Sequence, residues 1–145
     1  MDTHCDISVI TATRQRPKHL EACLHHFRQQ SLGGLRAEHI VVSDGPDDYA
    51  RRQVQSYGAR YDQLPESAGQ WGAAAKDRGI ELARGRYVCF WDDDNWYEPH
   101  ALATLYTTAF GFDIGVVQCR YLRRKQAAAG GAAPPLGRRV SLRRH

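Results

Sequence analysis

Three consecutive carboxylates, Asp92, Asp93 and Asp94, follow directly on the apolar run 87–91. Like charges this close repel one another, so a bound cation would explain why they stand together between two tryptophans. Carboxylate oxygens are hard ligands that suit Mg2+ or Mn2+, and proteins usually hold such ions with one or two carboxylates while substrate phosphates complete the coordination shell. The alternative is a solvated acidic turn that ends a strand and leads into a helix capped by Asn95.

Two other stretches have residue types that could contact a ligand. Asp44 follows the β-rich run 39–43 and opens an Asp-Gly-Pro turn, where its carboxylate could face a ligand or bond to its own backbone. The helical pattern 72–83 begins with Gly and Ala, which allow a ligand to approach closely, and free N–H groups at a helix start favour phosphate. Packing of this helix on a sheet explains the small residues equally well.

The elements that must position these residues form an α/β pattern. Apolar runs alternate with helical patterns in the order βαβαβαβαβ, which predicts a largely parallel sheet with helices on both faces. Ligands bind at the carboxyl ends of the strands in such sheets, and Asp44 and the three carboxylates are both expected there. The predicted strands cover 7–11, 39–43, 59–64, 87–91 and 114–119, and the predicted helices cover 17–30, 47–57, 72–83 and 101–110.

The composition is typical of one folded domain. The chain has 145 residues, of which 42% are hydrophobic and 25% charged. Its four cysteines form no CxxC pair, which argues against a zinc or redox motif. No apolar stretch approaches the roughly 20 residues that span a bilayer, and the polar N-terminus lacks the pattern of a signal peptide. A cytoplasmic location is therefore predicted.

The net charge of +4 originates in the C-terminal part of the chain. Eight of the 20 Lys and Arg and none of the 16 acids lie from residue 120 onward, which leaves 12 basic against 16 acidic residues, or −4, in residues 1–119. Nucleic-acid binding by the folded part is not expected for this reason. We predict a folded domain over 1–119 and a disordered tail over 120–145, rich in Arg, Ala, Gly and Pro, with weak contact to an anionic membrane surface as its possible role.

Four segments in this order resemble the family 2 glycosyltransferases: ISVITATRQRP at 7–17, VVSDG at 41–45, KDRGI at 76–80 and FWDDDNW at 90–96. The resemblance covers roughly residues 6–119. It implies a GT-A fold, in which a Rossmann-like half binds a nucleoside-diphosphate sugar, most often UDP-linked. It also implies an Asp-x-Asp motif that holds Mn2+ or Mg2+, and an acceptor that the sequence does not identify.

The resemblance further implies roles for individual residues. Those expected to bind the donor nucleotide are Ala12, Thr13 and Arg14 in the loop around the base and ribose, Asp44 at the nucleobase, Lys76 beside the diphosphate, and Asp93 near the ribose or diphosphate. Asp94 would be the principal metal ligand, and Asp92 would join the metal shell directly or through water. Asp77 stands where the family often has Asn, and Ser43 stands where it often has Asp.

The catalytic base is the part of the family pattern that is not found. An inverting enzyme needs a base to deprotonate the acceptor hydroxyl, and in the family this base is an acid well beyond the Asp-x-Asp strand. The last acid here is Asp113. A truncated or non-catalytic nucleotide-binding module of the same fold is therefore the alternative hypothesis. A nucleotidyltransferase is a third one, although Arg14, Arg16 and Lys18 match a triphosphate loop only in part.

Overall fold

The protein is organised around a six-stranded sheet with the strand order β3-β2-β1-β4-β6-β5. The computed structural model describes residues 4–120 and 136–144, and the side-chain geometry given below concerns residues 4–117. The strands are β1 (Ile7–Thr13), β2 (Ala37–Ser43), β3 (Arg60–Gln63), β4 (Tyr87–Phe90), β5 (Ile114–Arg120) and β6 (Leu136–Arg144). The helices are α1 (Pro17–Arg28), α2 (Asp48–Ser56), α3 (Ala73–Leu82) and α4 (Ala101–Ala109), with a short 3-10 turn at Gln70–Gly72.

The first four strands form the parallel part of the sheet, as predicted. β1 lies in the middle and pairs in parallel with β2 and β4, and β2 pairs in parallel with β3. The ends of β1 and β2 stay together beyond the last pair, because the Asp44 N–H donates to the Thr13 carbonyl at 2.9 Å. The Trp91 N–H likewise donates to the Ile10 carbonyl at 2.9 Å. The chain segments that follow β1, β2 and β4 therefore leave the sheet at the same edge.

Helices cover both faces of the sheet, which confirms the predicted layering. Ala75 of α3 packs with Ile40 and Val42 of β2, whereas Leu20 of α1 packs with Val41. Successive residues of a strand point to opposite faces, so α3 lies on the face opposite α1. On the face covered by α1, the core continues into a larger cluster formed by residues of β1, β4, α1 and α4.

Close packing accounts for a small residue inside α3. A Cβ atom on Gly79 would collide with the Ile10 side chain, so the helix approaches β1 too closely for a larger residue. Of the two explanations left open for the small residues of 72–83, sheet packing applies at this position. Gly72, just before α3, is different and belongs to the loop described with the site.

The region after β4 departs from the predicted pattern. Residues 136–144, which the Arg-rich composition placed in a disordered tail, form β6, an antiparallel strand inserted between β4 and β5. Residues 121–135 of that predicted tail lie outside the described residues. Helix α4 begins at Ala101 after His100, so Asn95 does not cap it as expected.

A buried histidine lies in the core between β1, β2 and α1. His39 is only 2% exposed, and its ring packs 4.9 Å from the ring of Phe27 and 6.4 Å from that of Trp91. Its Nε2 atom lies 2.8 Å from Thr11 Oγ1, whereas Nδ1 has no hydrogen-bond partner among the described residues. Burial lowers the pKa of His39 to about 3, which keeps the imidazole neutral in the folded protein.

This histidine is expected to make the folded protein sensitive to acid. The unfolded chain takes up a proton on His39 below its ordinary pKa of 6.5, and the folded protein does not until about 3. The free energy of unfolding should therefore fall as the pH is lowered from 6.5, by up to about 1.4 kcal/mol per pH unit from this group. Urea unfolding at pH 5.0, 5.5, 6.0 and 6.5 measures the slope.

The matched comparison uses His39→Gln and His100→Gln. The first substitution removes the buried titrating group, so most of the slope between pH 5 and 6.5 should disappear. His100 is exposed, and its replacement should leave the slope unchanged. An unchanged slope in His39→Gln would mean that other groups cause the acid sensitivity.

Candidate active site

The carboxyl edge of the parallel strands gathers most of the residues predicted to bind a ligand. Thr13 ends β1, Asp44 follows β2, and residues 92–94 follow β4. Lys76 reaches the same edge from the first turns of α3, because its Nζ lies 3.1 Å from Asp92 Oδ1. The predicted site residues from four separate parts of the sequence are thus neighbours in space.

Asp93 is the buried member of the acidic triplet. Its side chain is 4% exposed, accepts a hydrogen bond from Thr13 Oγ1 at 3.2 Å, and pairs with Arg16 Nη1 at 2.9 Å. Burial raises the pKa of this carboxyl, and the positive charge of Arg16 opposes that effect. Asp93 therefore joins the loop after β1 to the loop after β4.

Asp92 and Asp94 are the accessible members, with side chains 55% and 48% exposed. Asp92 pairs with Lys76, as described above, and Asp94 Oδ2 accepts from Arg16 Nη2 at 3.2 Å. Asp93 and Asp94 therefore share Arg16 as a partner, whereas Asp92 pairs with Lys76. Among the residues that the structure describes, no group of three His, Cys, Asp or Glu side chains is arranged as a metal site.

This donor set suits a Mg2+ or Mn2+ ion held mainly by substrate. Such ions keep water or phosphate oxygens in most coordination positions and need only one or two protein carboxylates. Asp94 and Asp92 are accessible carboxylates of this kind, and Asp93 is the carboxylate already buried under Thr13 and Arg16. The chemistry of these residues fits the divalent ion that the sequence resemblance implies, although not as a closed protein cage.

Aromatic packing fixes the backbone of the acidic loop. Trp91 is 1% exposed and stacks on Tyr97 with ring centroids 3.8 Å apart and planes within 3°. The Tyr97 hydroxyl donates to the Asp92 carbonyl at 3.0 Å, and burial raises the pKa of Tyr97, which keeps this hydroxyl protonated. Trp96 is instead 67% exposed. The two tryptophans that flank the acids are evident in the sequence, whereas the stack that holds the loop is not.

Asp44 holds a neighbouring loop. Its carboxylate accepts hydrogen bonds from Ser67 Oγ at 3.0 Å and from the N–H groups of Ala68 and Gly69 at 2.7 and 3.0 Å. These bonds, that of Ala68 first, lower the pKa of Asp44, so the carboxylate is ionised. The structure thus places Asp44 at the predicted edge and gives it a structural partner. Its contact with a nucleobase stays a prediction.

The loop held by Asp44 continues into a stretch of left-handed backbone. The φ angles of Gly69, Gln70, Trp71 and Gly72 are 67°, 51°, 57° and 78°, and the Trp71 side chain is fully exposed. A Cβ atom on Gly72 would lie 2.9 Å from the Cβ of Ala12, so this stretch lies directly against the end of β1. Ala12 and Asp44 are therefore connected through the loop between β3 and α3.

Arg14 and Asp77 are less closely integrated than the other predicted residues. Both side chains are exposed. The charge of Arg14 contributes to the lowered pKa of Asp44. Asp77 follows Lys76 on α3 but does not share the contact that Lys76 makes with Asp92.

Arg16 contacts two of the three carboxylates, a contact that the sequence did not predict. The sequence suggested for Arg16 only a partial match to a triphosphate loop. The one sequence feature that pointed to a site role for Arg16 was its position two residues after Arg14, in the loop that leaves β1. The partner acids lie 77 and 78 positions further along the sequence, so the contact could not be read from local spacing.

Comparison with known protein families shows which family has this fold and this set of residues. The family described as "Glycosyl transferase family 2" matches residues 8–132. This chain belongs to the family 2 glycosyltransferases. The predicted family is confirmed, and the match favours this family over the nucleotidyltransferase alternative.

Individual glycosyltransferases show how much of a relative this chain covers. It is 31% identical over 121 residues to the uncharacterized glycosyltransferase YibD of Escherichia coli K12, and 28% identical over 118 residues to the glycosyltransferase GlyG of Streptococcus pneumoniae serotype 4. The matched parts are 82% and 79% of this chain but 35% and 38% of those proteins. This glycosyltransferase chain thus spans little more than a third of the length of these curated relatives.

Solved structures confirm the predicted GT-A fold. The structure of Staphylococcus aureus TarS 1-349 in complex with UDP-GlcNAc has a TM-score of 0.68 and 22% sequence identity, covering 82% of this chain and 37% of TarS 1-349. The mannosyltransferase PcManGT of Pyrobaculum calidifontis, in complex with GDP-Man and Mn2+, has a TM-score of 0.64 at 19% identity, covering 89% of this chain and 39% of PcManGT. No helix in the described part of this family 2 chain is long and apolar enough to cross a membrane.

Proposed function

We propose that this family 2 chain binds a nucleoside-diphosphate sugar, UDP-linked in the first instance, and transfers the sugar to an acceptor that remains to be identified. One observation carries the proposal. Three carboxylates and the cations Arg16 and Lys76 meet at the carboxyl edge of a parallel sheet. Carboxylates can hold a divalent ion there, and the cations can contact a diphosphate.

Different residues of the site would bind different parts of the donor. Lys76 on α3 and Arg16 in the loop after β1 supply positive charge for the two phosphates. The base and ribose would bind among Ala12, Thr13, Arg14 and Asp44, with Asp93 beneath them. The nucleotide sugars bound by TarS and PcManGT, UDP-GlcNAc and GDP-Man, support a donor of this chemical class.

Asp94, with Asp92, would hold the metal ion. A bound Mg2+ or Mn2+ neutralises negative charge that develops on the departing nucleoside diphosphate. Asp94 is suited to this role because its carboxylate is accessible and pairs with Arg16 at the surface of the site. Asp93 is less suited because Thr13 and Arg16 already surround its buried oxygens.

A nucleotide-binding module without transfer activity is the second candidate function. The observation in its favour is that the sequence contains no Asp or Glu after Asp113, so the acid expected to act as general base is not assigned. Asp113 lies between α4 and β5, so a whole helix separates it from the acidic loop along the chain. The two candidates share the donor site and differ in the chemical step.

Calorimetric titration tests the shared donor site. UDP and GDP are each titrated into the protein with and without Mn2+, and we expect metal-dependent binding of one nucleotide, UDP first. Failure of both nucleotides to bind in the presence of Mn2+ would reject the donor site. Release of nucleoside diphosphate from a panel of sugar donors then separates the two candidates, because a pure binding module leaves the donor intact.

A further inference from the structure

The Arg16 guanidinium bridges two carboxylates of the acidic loop. Its Nη1 atom lies 2.9 Å from Asp93 Oδ1, and its Nη2 atom lies 3.2 Å from Asp94 Oδ2. A planar guanidinium has paired N–H donors, which makes it the side chain best suited to contact two neighbouring carboxylate oxygens. The same donors match the oxygens of a diphosphate equally well.

The backbone of Arg16 is fixed while its side chain is partly free. Arg16 occupies the N-cap position of α1, its carbonyl accepts from the Leu20 N–H at 2.9 Å, and Pro17 follows it. The side chain is 41% exposed. The guanidinium can therefore change partners by rotation of its side chain, without movement of α1.

The two carboxylates would be affected differently if Arg16 moved away. Asp93 is buried but would keep the hydrogen bond from Thr13 Oγ1 at 3.2 Å. Asp94 is 48% exposed and would become a solvent-accessible, charged oxygen donor. Departure of Arg16 therefore leaves Asp93 hydrogen-bonded and frees Asp94 for another cation.

Electrostatics make the position of Arg16 depend on what else is bound. A divalent ion placed on Asp94 would lie within a few ångströms of the guanidinium and be repelled by it. A diphosphate brings negative charge to the same edge and offers Arg16 a new partner. Metal alone must therefore compete with Arg16, whereas metal together with nucleotide need not.

We propose that Arg16 is an ion-pair switch for the donor site: it occupies Asp93 and Asp94 in the ligand-free protein and moves to the diphosphate when metal and nucleotide bind together. The inference rests on the proposed donor site and adds to it a residue and a coupling between the two ligands. Its consequence is positive coupling between the two ligands, since each removes an obstacle to the other. Arg16 lowers the affinity for metal alone and raises that for the nucleotide complex.

The test measures Mn2+ binding from the electron paramagnetic resonance signal of free Mn2+, with and without UDP. In Arg16→Gln, Mn2+ alone should bind about tenfold tighter than in the wild type, and the gain in Mn2+ affinity caused by UDP should shrink about tenfold. These changes have opposite signs, so general damage to the site would not produce them. Arg16→Lys keeps the charge without the fork and should fall between the two proteins.

Arg51→Gln is the matched control. Arg51 pairs with Asp48 at 2.9 Å on the exposed side of α2, so its loss removes the same charge without touching the acidic loop. Circular dichroism melting verifies that each variant is folded, and Arg16→Lys serves if Arg16→Gln is not. The control should reproduce the wild-type affinities with and without UDP.

Each result decides a different point. Wild-type Mn2+ binding that depends on UDP, together with unchanged or weaker binding of Mn2+ alone in Arg16→Gln, would overturn the role of Arg16 and leave the donor site intact. Absence of Mn2+ binding to the wild type even with UDP would overturn the metal site, and the switch with it. Tighter Mn2+ binding in Arg16→Gln with reduced UDP coupling would support the proposal.

Discussion

Asp94→Asn is expected to weaken metal-dependent nucleotide binding strongly. The substitution keeps the shape of the side chain and one oxygen but removes the charge that makes it a ligand for Mg2+ or Mn2+. Loss of about 3 kcal/mol of metal-mediated interaction corresponds to a roughly 100-fold weaker binding of UDP in the presence of Mn2+. Titration of UDP with Mn2+ present and absent measures it, and UDP binding without Mn2+ should change little.

The fold should survive this substitution because Asp94 is not part of the core. Its side chain is 48% exposed, and its ion pair with Arg16 lies at the surface, where such pairs contribute little stability. Asp48→Asn is the control, since Asp48 is an exposed acid that also pairs with an arginine. Equal Mn2+-dependent binding of UDP by wild type and Asp94→Asn would exclude Asp94 as the principal ligand.

The parallel sheet could be predicted because its signals are local. Runs rich in apolar residues, such as 39–43, alternate with helical patterns. In α/β sheets of this topology, ligands bind at the carboxyl ends of the strands. Asp44 and the acidic triplet were expected at one edge for this reason, and they lie there in the structure. The element limits differ by a few residues, as for β2, which begins at Ala37 rather than 39.

The partners within the site could not be predicted because they depend on distant parts of the chain. Asp44 is bonded to residues 67–69, and Arg16 to acids 77 and 78 positions away. Turn statistics describe the local backbone of Asp44 but contain no information about a loop that arrives from β3. Composition also misled at β6, because this Arg-rich stretch pairs with β4 and β5 through its backbone.

Gly85→Ala is expected to destabilise the whole fold through the junction between β1 and β4. Gly85 is buried just before β4, and its N–H donates to Ser8 Oγ at 2.8 Å. A Cβ atom would lie 2.7 Å from the Ile7 carbonyl carbon and would collide with the Ser8 N–H, both atoms of the β1 backbone. Since β1 is paired on both sides, it cannot yield easily, and we expect a loss of about 2–4 kcal/mol in urea unfolding.

Gly33→Ala separates this steric effect from the loss of glycine itself. Gly33 has a φ of 59°, and a Cβ atom there would meet nothing within 4 Å, so its replacement should cost only the conformational strain of about 1 kcal/mol. A loss in Gly85→Ala no larger than in Gly33→Ala would show that β1 and β4 can move apart. In that case the position of the acidic loop, which β4 carries to the edge of the sheet, would be adjustable rather than fixed by its pairing with β1.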